Sequence, residues 1–137
     1  MATKTSESTR SDIMRAVRSK DTAPEMIVRR LAHGLGYRYR LHRKDLPGKP
    51  DLVFPGRRRV VFVNGCFWHG HDCNRGARQP KDNAVYWKAK VARNMERDRA
   101  SVAALQDDGW DVLTVWECQT RVRDRDALAQ ALRTFLG

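Results

Sequence analysis

The sequence predicts one α/β domain, a mixed sheet flanked by helices, and two observations carry that expectation. Short runs rich in β-branched and aromatic residues recur at 37–42, 51–54, 59–64 and 111–116, and helical periodicity frames them on both sides. The resulting order (helix, helix, three strands, long helix, strand, helix) suits a single sheet with helices packed against it. At 137 residues, with no internal repeat or low-complexity stretch, one core is the simplest organisation.

The elements follow in chain order. Residues 1–8 are polar and aperiodic and read as a tail; the domain proper is expected over 11–137, with 1–10 flexible. Ile13, Met14 and Val17 form one apolar stripe on a short basic helix over 11–20. Thr22, Pro24 and Glu25 mark the start of a second helix, with Thr22 as cap and Glu25 three residues on, and Gly34 or Gly36 ends it. Alternation over 37–42 predicts a half-buried strand. The turn residues Leu46-Pro47-Gly48-Lys49-Pro50 lead into the strand 51–54, and Pro55-Gly56 turns the chain again. The run Arg59–Asn64 is apolar enough for a central strand covered on both faces. A loop over about 65–83 precedes a long helix over 83–106, closed by Gly109. A buried strand over 111–116 and an amphipathic helix over 126–136 complete the domain.

Composition narrows the function. Lys and Arg number 27 against 16 acidic residues, a formal net charge of +11. Such an excess on a small domain points to a polyanion, because each phosphate neutralised releases condensed counterions. No apolar run approaches the roughly 18–20 residues that span a bilayer, and no signal-peptide core follows Met1. Cytoplasmic residence is therefore expected. Three cysteines, an odd number, argue against a secreted disulfide scaffold and leave metal binding open.

Cys66, His71 and Cys73 share one loop in the spacing C-x4-H-x-C, and Cys118 stands at the end of the last strand. Three thiolates and an imidazole are a standard tetrahedral zinc set, closed to substrate and hence structural. The competing reading is three free, buried cysteines. His69 competes with His71 for the fourth position.

Asp51 at the mouth of a strand is a candidate magnesium carboxylate, since such sites combine one or two carboxylates with carbonyls, phosphate oxygens and water. The next strand offers no second carboxylate, so a backbone carbonyl would have to complete the set. Asp98 falls on the apolar stripe of the long helix (Trp87, Val91, Met95, Val102, Leu105), where an unpaired carboxylate costs several kcal/mol. It pairs either with a histidine such as His69, orienting a general base, or with an arginine. Glu25 is either a helix cap or a carboxylate holding metal-bound water. Phe67, Trp68 and Trp87 either stack into nucleic acid or pack beneath the loop.

Taken together these residues resemble the very-short-patch-repair (Vsr) mismatch endonucleases over nearly the whole chain. The motifs are RSxIMRAVRSKDTxPE, LPGKPDLVF, VVFVNGCFWHGHDC, YWxxKVxRNxERDR and GWDVLTVWEC, in that order. The resemblance implies a restriction-endonuclease-like fold, a structural zinc, and magnesium-dependent nicking of double-stranded DNA beside the thymine of a T:G mismatch. That reaction begins repair of deaminated 5-methylcytosine. It further implies Asp51 and the Val63 carbonyl as magnesium ligands, His69 as catalytic base oriented by Asp98, and Glu25 in the same site through water. Cys66, His71, Cys73 and Cys118 would hold zinc. Phe67, Trp68 and Trp87 would enter beside the mismatch, with Met14 and Val17 pressing from the opposite groove. A monomer associated with the nucleoid, with mismatch-repair proteins as partners, completes the expectation. Where the family pattern has Thr-His before Gly-Cys, this chain has Val63-Asn64. Asn64 donates a hydrogen bond but carries neither charge nor a transferable proton, so altered rate, pH dependence or specificity is expected.

Overall fold

The computed structural model describes residues 22–71, 73 and 84–137. The expected N-terminal tail and the helix over 11–20 lie outside the described residues.

Helix α1 (Ala23–Gly34) starts as the sequence predicts, with the Glu25 N–H donating to Thr22 Oγ1 at 3.4 Å and Pro24 in the first turn. Leu35 is its C-terminal cap, and Gly36 follows at φ +96°. Strand β1 is only Arg40–Leu41, shorter than the alternation over 37–42 suggested. At one end His42 adopts a left-handed φ of +48°, which bends the chain out of the pleat, and at the other the partner strand runs out at Phe54, before Pro55. Strands β2 (Leu52–Phe54) and β3 (Arg59–Asn64) follow, joined by a 3-10 turn over Pro55–Arg57. Helix α2 (Ala84–Asp107) then crosses to β4 (Asp111–Trp116), and α3 (Arg125–Leu136) ends the chain after two short 3-10 turns.

The sheet order is β1-β2-β3-β4, antiparallel from β1 to β3 and parallel between β3 and β4. The parallel pair needs a crossover, and α2 supplies it. Period-two alternation sends Leu52, Phe54 and Val61 to one face, where they meet Val28 and Ala32 of α1 and Leu128, Leu132 and Leu136 of α3. Val53 and Val60 point to the other face, against Leu105 and Trp110. Both inner strands are therefore covered on both sides, which explains their near-continuous apolar sequence. Each fully buried Leu or Val contributes about 1.5–3 kcal/mol to this packing.

Two details aim the site. Gly48 sits at φ +74° against α2, where a Cβ would come within 2.7 Å of Ser101 Cβ. The turn before Asp51 thus lies tightly on the helix. On α2 the inward face carries Trp87, Val91, Asn94, Met95, Asp98 and Leu105, of which Asn94 and Leu105 are buried. Among the described residues no helix is long and apolar enough to cross a membrane.

Candidate active site and metal centre

Asp51 stands at the end of the Gly48 turn, one residue before β2. Its Oδ2 accepts the Val63 N–H at 2.7 Å, and its carbonyl accepts the His42 N–H at 3.2 Å. Val63 can serve this carboxylate because the β2–β3 ladder has its last pair at Leu52 and Val61. Burial is the main cause that raises the Asp51 carboxyl to about 6, and the Glu25 carboxylate adds to it, while the Val63 amide, His42 and His69 oppose it.

Glu25 is 1% exposed. Its Oε2 lies 2.6 Å from His42 Nε2 and 3.4 Å from Arg29 Nη1. The residue whose amide Thr22 caps thus sends its carboxylate into the site. Ligand-type atoms of Glu25, His42 and Asp51 all lie within 4.8 Å of one another. Two partly desolvated carboxylates this close favour a cation between them, so the set fits a hard divalent ion. His42 was not singled out from sequence; it read as the end of a strand, and only the left-handed bend turns it toward Glu25.

His69 and Asp98 come together as one of the two sequence readings required, with Nδ1 2.5 Å from Asp98 Oδ2. The loop that carries His69 is held on α2 by a residue the sequence did not reveal. The buried Asn94 donates through Nδ2 to the Trp68 carbonyl at 2.8 Å. Gly70, at φ +65°, packs on Val91 and Met95. An asparagine on an otherwise apolar stripe is the one available signal for this role.

Beside this pocket Cys66, His71, Cys73 and Cys118 form a second cluster, with their ligand atoms within 4.8 Å of one another. Tetrahedral thiolate and imidazole ligands stand roughly 3.4–3.8 Å apart around a zinc-sized ion, so the donors fit. Cys118 Sγ is 3.7 Å from His71 Nδ1, and the Cys118 N–H points to Cys66 Sγ at 3.4 Å. The His71 ring stacks on Trp116 at 4.2 Å and 15°, and Glu117 Oε1 accepts the Cys66 N–H at 3.3 Å. Burial raises the Cys66 and Cys118 thiols above their ordinary range. A bound cation would reverse that tendency.

The aromatic residues pack together: Phe67, Trp68 and Trp87 meet edge to face with centroids 5.0–5.9 Å apart, and Trp68 is buried. Phe67 and Trp87 are half-buried, and Tyr86 beside them is exposed. Asn64 is buried at the end of β3, opposite Trp116. Met14 and Val17 lie outside the described residues.

A stability prediction follows from Asp51. The unfolded chain releases this proton near 3.8 and the folded chain near 6, so the folded state holds it more tightly and loses stability as pH rises through that interval. The displacement corresponds to at most about 3 kcal/mol, and solvent at the half-buried group reduces that to about 1–2 kcal/mol. Without added magnesium, Asp51→Asn is expected to exceed the wild type in stability by that amount at pH 8. Urea denaturation should find most of the margin lost near pH 4; an equal margin at both pH values contradicts the assignment.

Three comparisons place this geometry among known proteins. The family model described as DNA mismatch endonuclease Vsr matches residues 2–75. The type II nicking enzyme V.XorIIP of Xanthomonas oryzae pv. oryzae is 51% identical over 136 residues, covering 99% of this chain and 98% of that protein. The DNA mismatch endonuclease Vsr of Escherichia coli K12 is 40% identical over 133 residues, covering 95% and 85%. Among solved structures, the catalytic domain of the homing endonuclease I-Bth0305I superposes with a TM-score of 0.58 at 20% identity, covering 84% of this chain and 94% of that one. That last likeness shows a shared α/β fold. With motifs in order, matching length and half its residues identical to a relative, the chain belongs to the Vsr family of DNA mismatch endonucleases.

Proposed function

We propose that this protein is a magnesium-dependent endonuclease that nicks one strand of double-stranded DNA beside the thymine of a T:G mismatch, starting very short patch repair of deaminated 5-methylcytosine. The observation that carries the reading is the half-buried Asp51 carboxylate beside the buried Glu25, with the His69–Asp98 pair close enough to act on its charge. The domain would be restriction-endonuclease-like over 11–137, acting as a monomer on DNA in the cytoplasm, with mismatch-repair proteins as further partners.

Asp51 and the Val63 carbonyl would hold the magnesium. In a strand the N–H and C=O of one residue point to the same edge, so an amide bonded to Asp51 leaves its carbonyl on the Asp51 side. Magnesium, when bound, supplies positive charge at the scissile phosphate. Asp98 accepts the His69 Nδ1–H and so fixes the tautomer whose Nε2 is free to take a proton from the attacking water. Water adds to phosphorus, its proton passes to Nε2, and the P–O bond to the leaving oxygen breaks, that oxygen taking a proton from solvent to leave as the alcohol. Glu25 holds a water in the same pocket, and Asn64 offers its amide to the phosphate. Zinc on Cys66, His71, Cys73 and Cys118 would fix the loop that carries His69. Phe67, Trp68 and Trp87 would wedge beside the mismatch, with Met14 and Val17 opposite, because a mismatched pair unstacks at low cost.

A nicking assay on T:G-mismatched and matched duplexes tests this, with wild type and Asp51→Ala. Nicking confined to the wild type on the mismatch is the expected result. Efficient nicking of fully matched duplexes would point to another sequence target, and binding without cleavage to a non-catalytic module.

A further inference from the structure

The chain contains four histidines; the proposed reaction employs His69 and the proposed zinc site His71, which leaves His42, beside the carboxylates, without a role. His42 is nevertheless held in place with care. Its φ of +48° is a conformation that non-glycine residues seldom adopt, and its N–H donates to the Asp51 carbonyl at 3.2 Å. Its side chain is 19% exposed, and its Nε2 reaches the deeply buried Glu25. From the bend, one residue thus touches the main chain of one carboxylate and the side chain of the other.

We propose that His42 Nε2 is a protein ligand of the active-site cation, together with Asp51, and that this imidazole makes the site favour manganese(II) over magnesium. The inference rests on the metal-dependent reading above and adds a nitrogen donor to it. The ligand atoms of Glu25, His42 and Asp51 lie within 4.8 Å of one another, close enough for an ion with bonds of about 2.1 Å to draw them together as neighbouring ligands. The 2.6 Å contact between His42 Nε2 and Glu25 Oε2 sets the imidazole directly beside the carboxylates. Magnesium strongly prefers oxygen ligands and dehydrates reluctantly, whereas first-row transition ions accept imidazole readily. With Asn64 standing where the family has a histidine, His42 is, among the described residues, the histidine grouped within 4.8 Å of Asp51 and Glu25.

The test uses the zinc-replete full chain loaded with manganese(II), so that the cysteine cluster is filled. Pulsed electron paramagnetic resonance should detect coupling to an imidazole nitrogen in the wild type. The coupling should persist in His69→Asn and vanish in His42→Asn, a replacement that tolerates the left-handed backbone. In the same His42 variant the preference for manganese over magnesium, read from competition titrations, should fall about tenfold or more. Manganese that needs Asp51 yet shows no nitrogen coupling, or coupling that survives in His42→Asn, overturns the inference and leaves the parent reading intact. Manganese binding that is absent, or indifferent to Asp51→Ala, overturns both.

Discussion

Cys118→Ser is expected to strip the zinc, loosen the loop over 65–73 and abolish nicking. The cluster joins that loop to the 3-10 turn Glu117–Thr120 after β4, and among the described residues its four donors come from two distant stretches of chain. Structural zinc supplies about 10–16 kcal/mol of apparent binding energy in small fingers that fold only with metal. Here the sheet has its own core, so the loss should be smaller, about 3–5 kcal/mol, or roughly 10–20 °C in Tm for a domain of this size. The thiol chemistry supports the direction. Burial keeps Cys66 protonated in the absence of a cation, so removing the ion returns three thiols to a cramped pocket. Zinc content and thermal denaturation of wild type and variant are the measurements. A variant that retains one zinc per chain and an unchanged Tm sinks the assignment of Cys118.

Asp98→Asn should lower single-turnover nicking of a T:G duplex by about 10²–10⁴-fold while leaving duplex affinity within a few-fold. The amide preserves the shape of the contact to His69 but no longer stabilises the imidazolium that forms when Nε2 takes its proton. Tm should change little, because both side chains are partly open to solvent, 26% for His69 and 35% for Asp98. The alternative reading of Asp98 as a structural partner of an arginine makes the reverse expectation: lower stability and near-normal nicking. Gel-shift and quench-flow measurements on one preparation separate the two.

The positions of these residues in sequence already said much. The Thr22 cap and Pro24 place the start of α1, apolar runs place β2, β3 and β4, and the stripe from Trp87 to Leu105 places α2 within a residue or two at each end. The cysteine cluster was legible because cysteine is rare, and the need to pair Asp98 because a carboxylate on an apolar stripe demands a partner. Local chemistry suffices for such inferences: period, capping and donor type are properties of neighbouring residues.

What the sequence determined alone, then, is the α/β architecture, the basic character suited to DNA, and a donor set of Cys66, Cys73 and Cys118 with either His69 or His71. The tertiary structure decided the rest. It paired His69 with Asp98 across 29 residues, leaving His71 to the cysteines. It drew Glu25 from a helix cap into the pocket of Asp51, turned His42 toward it through a left-handed bend, and set Asn94 under the Trp68 carbonyl. It also buried Trp68 among its aromatic neighbours. These contacts depend on how α1, α2 and the sheet pack, and no local propensity encodes a partner that lies 17 or 26 residues away.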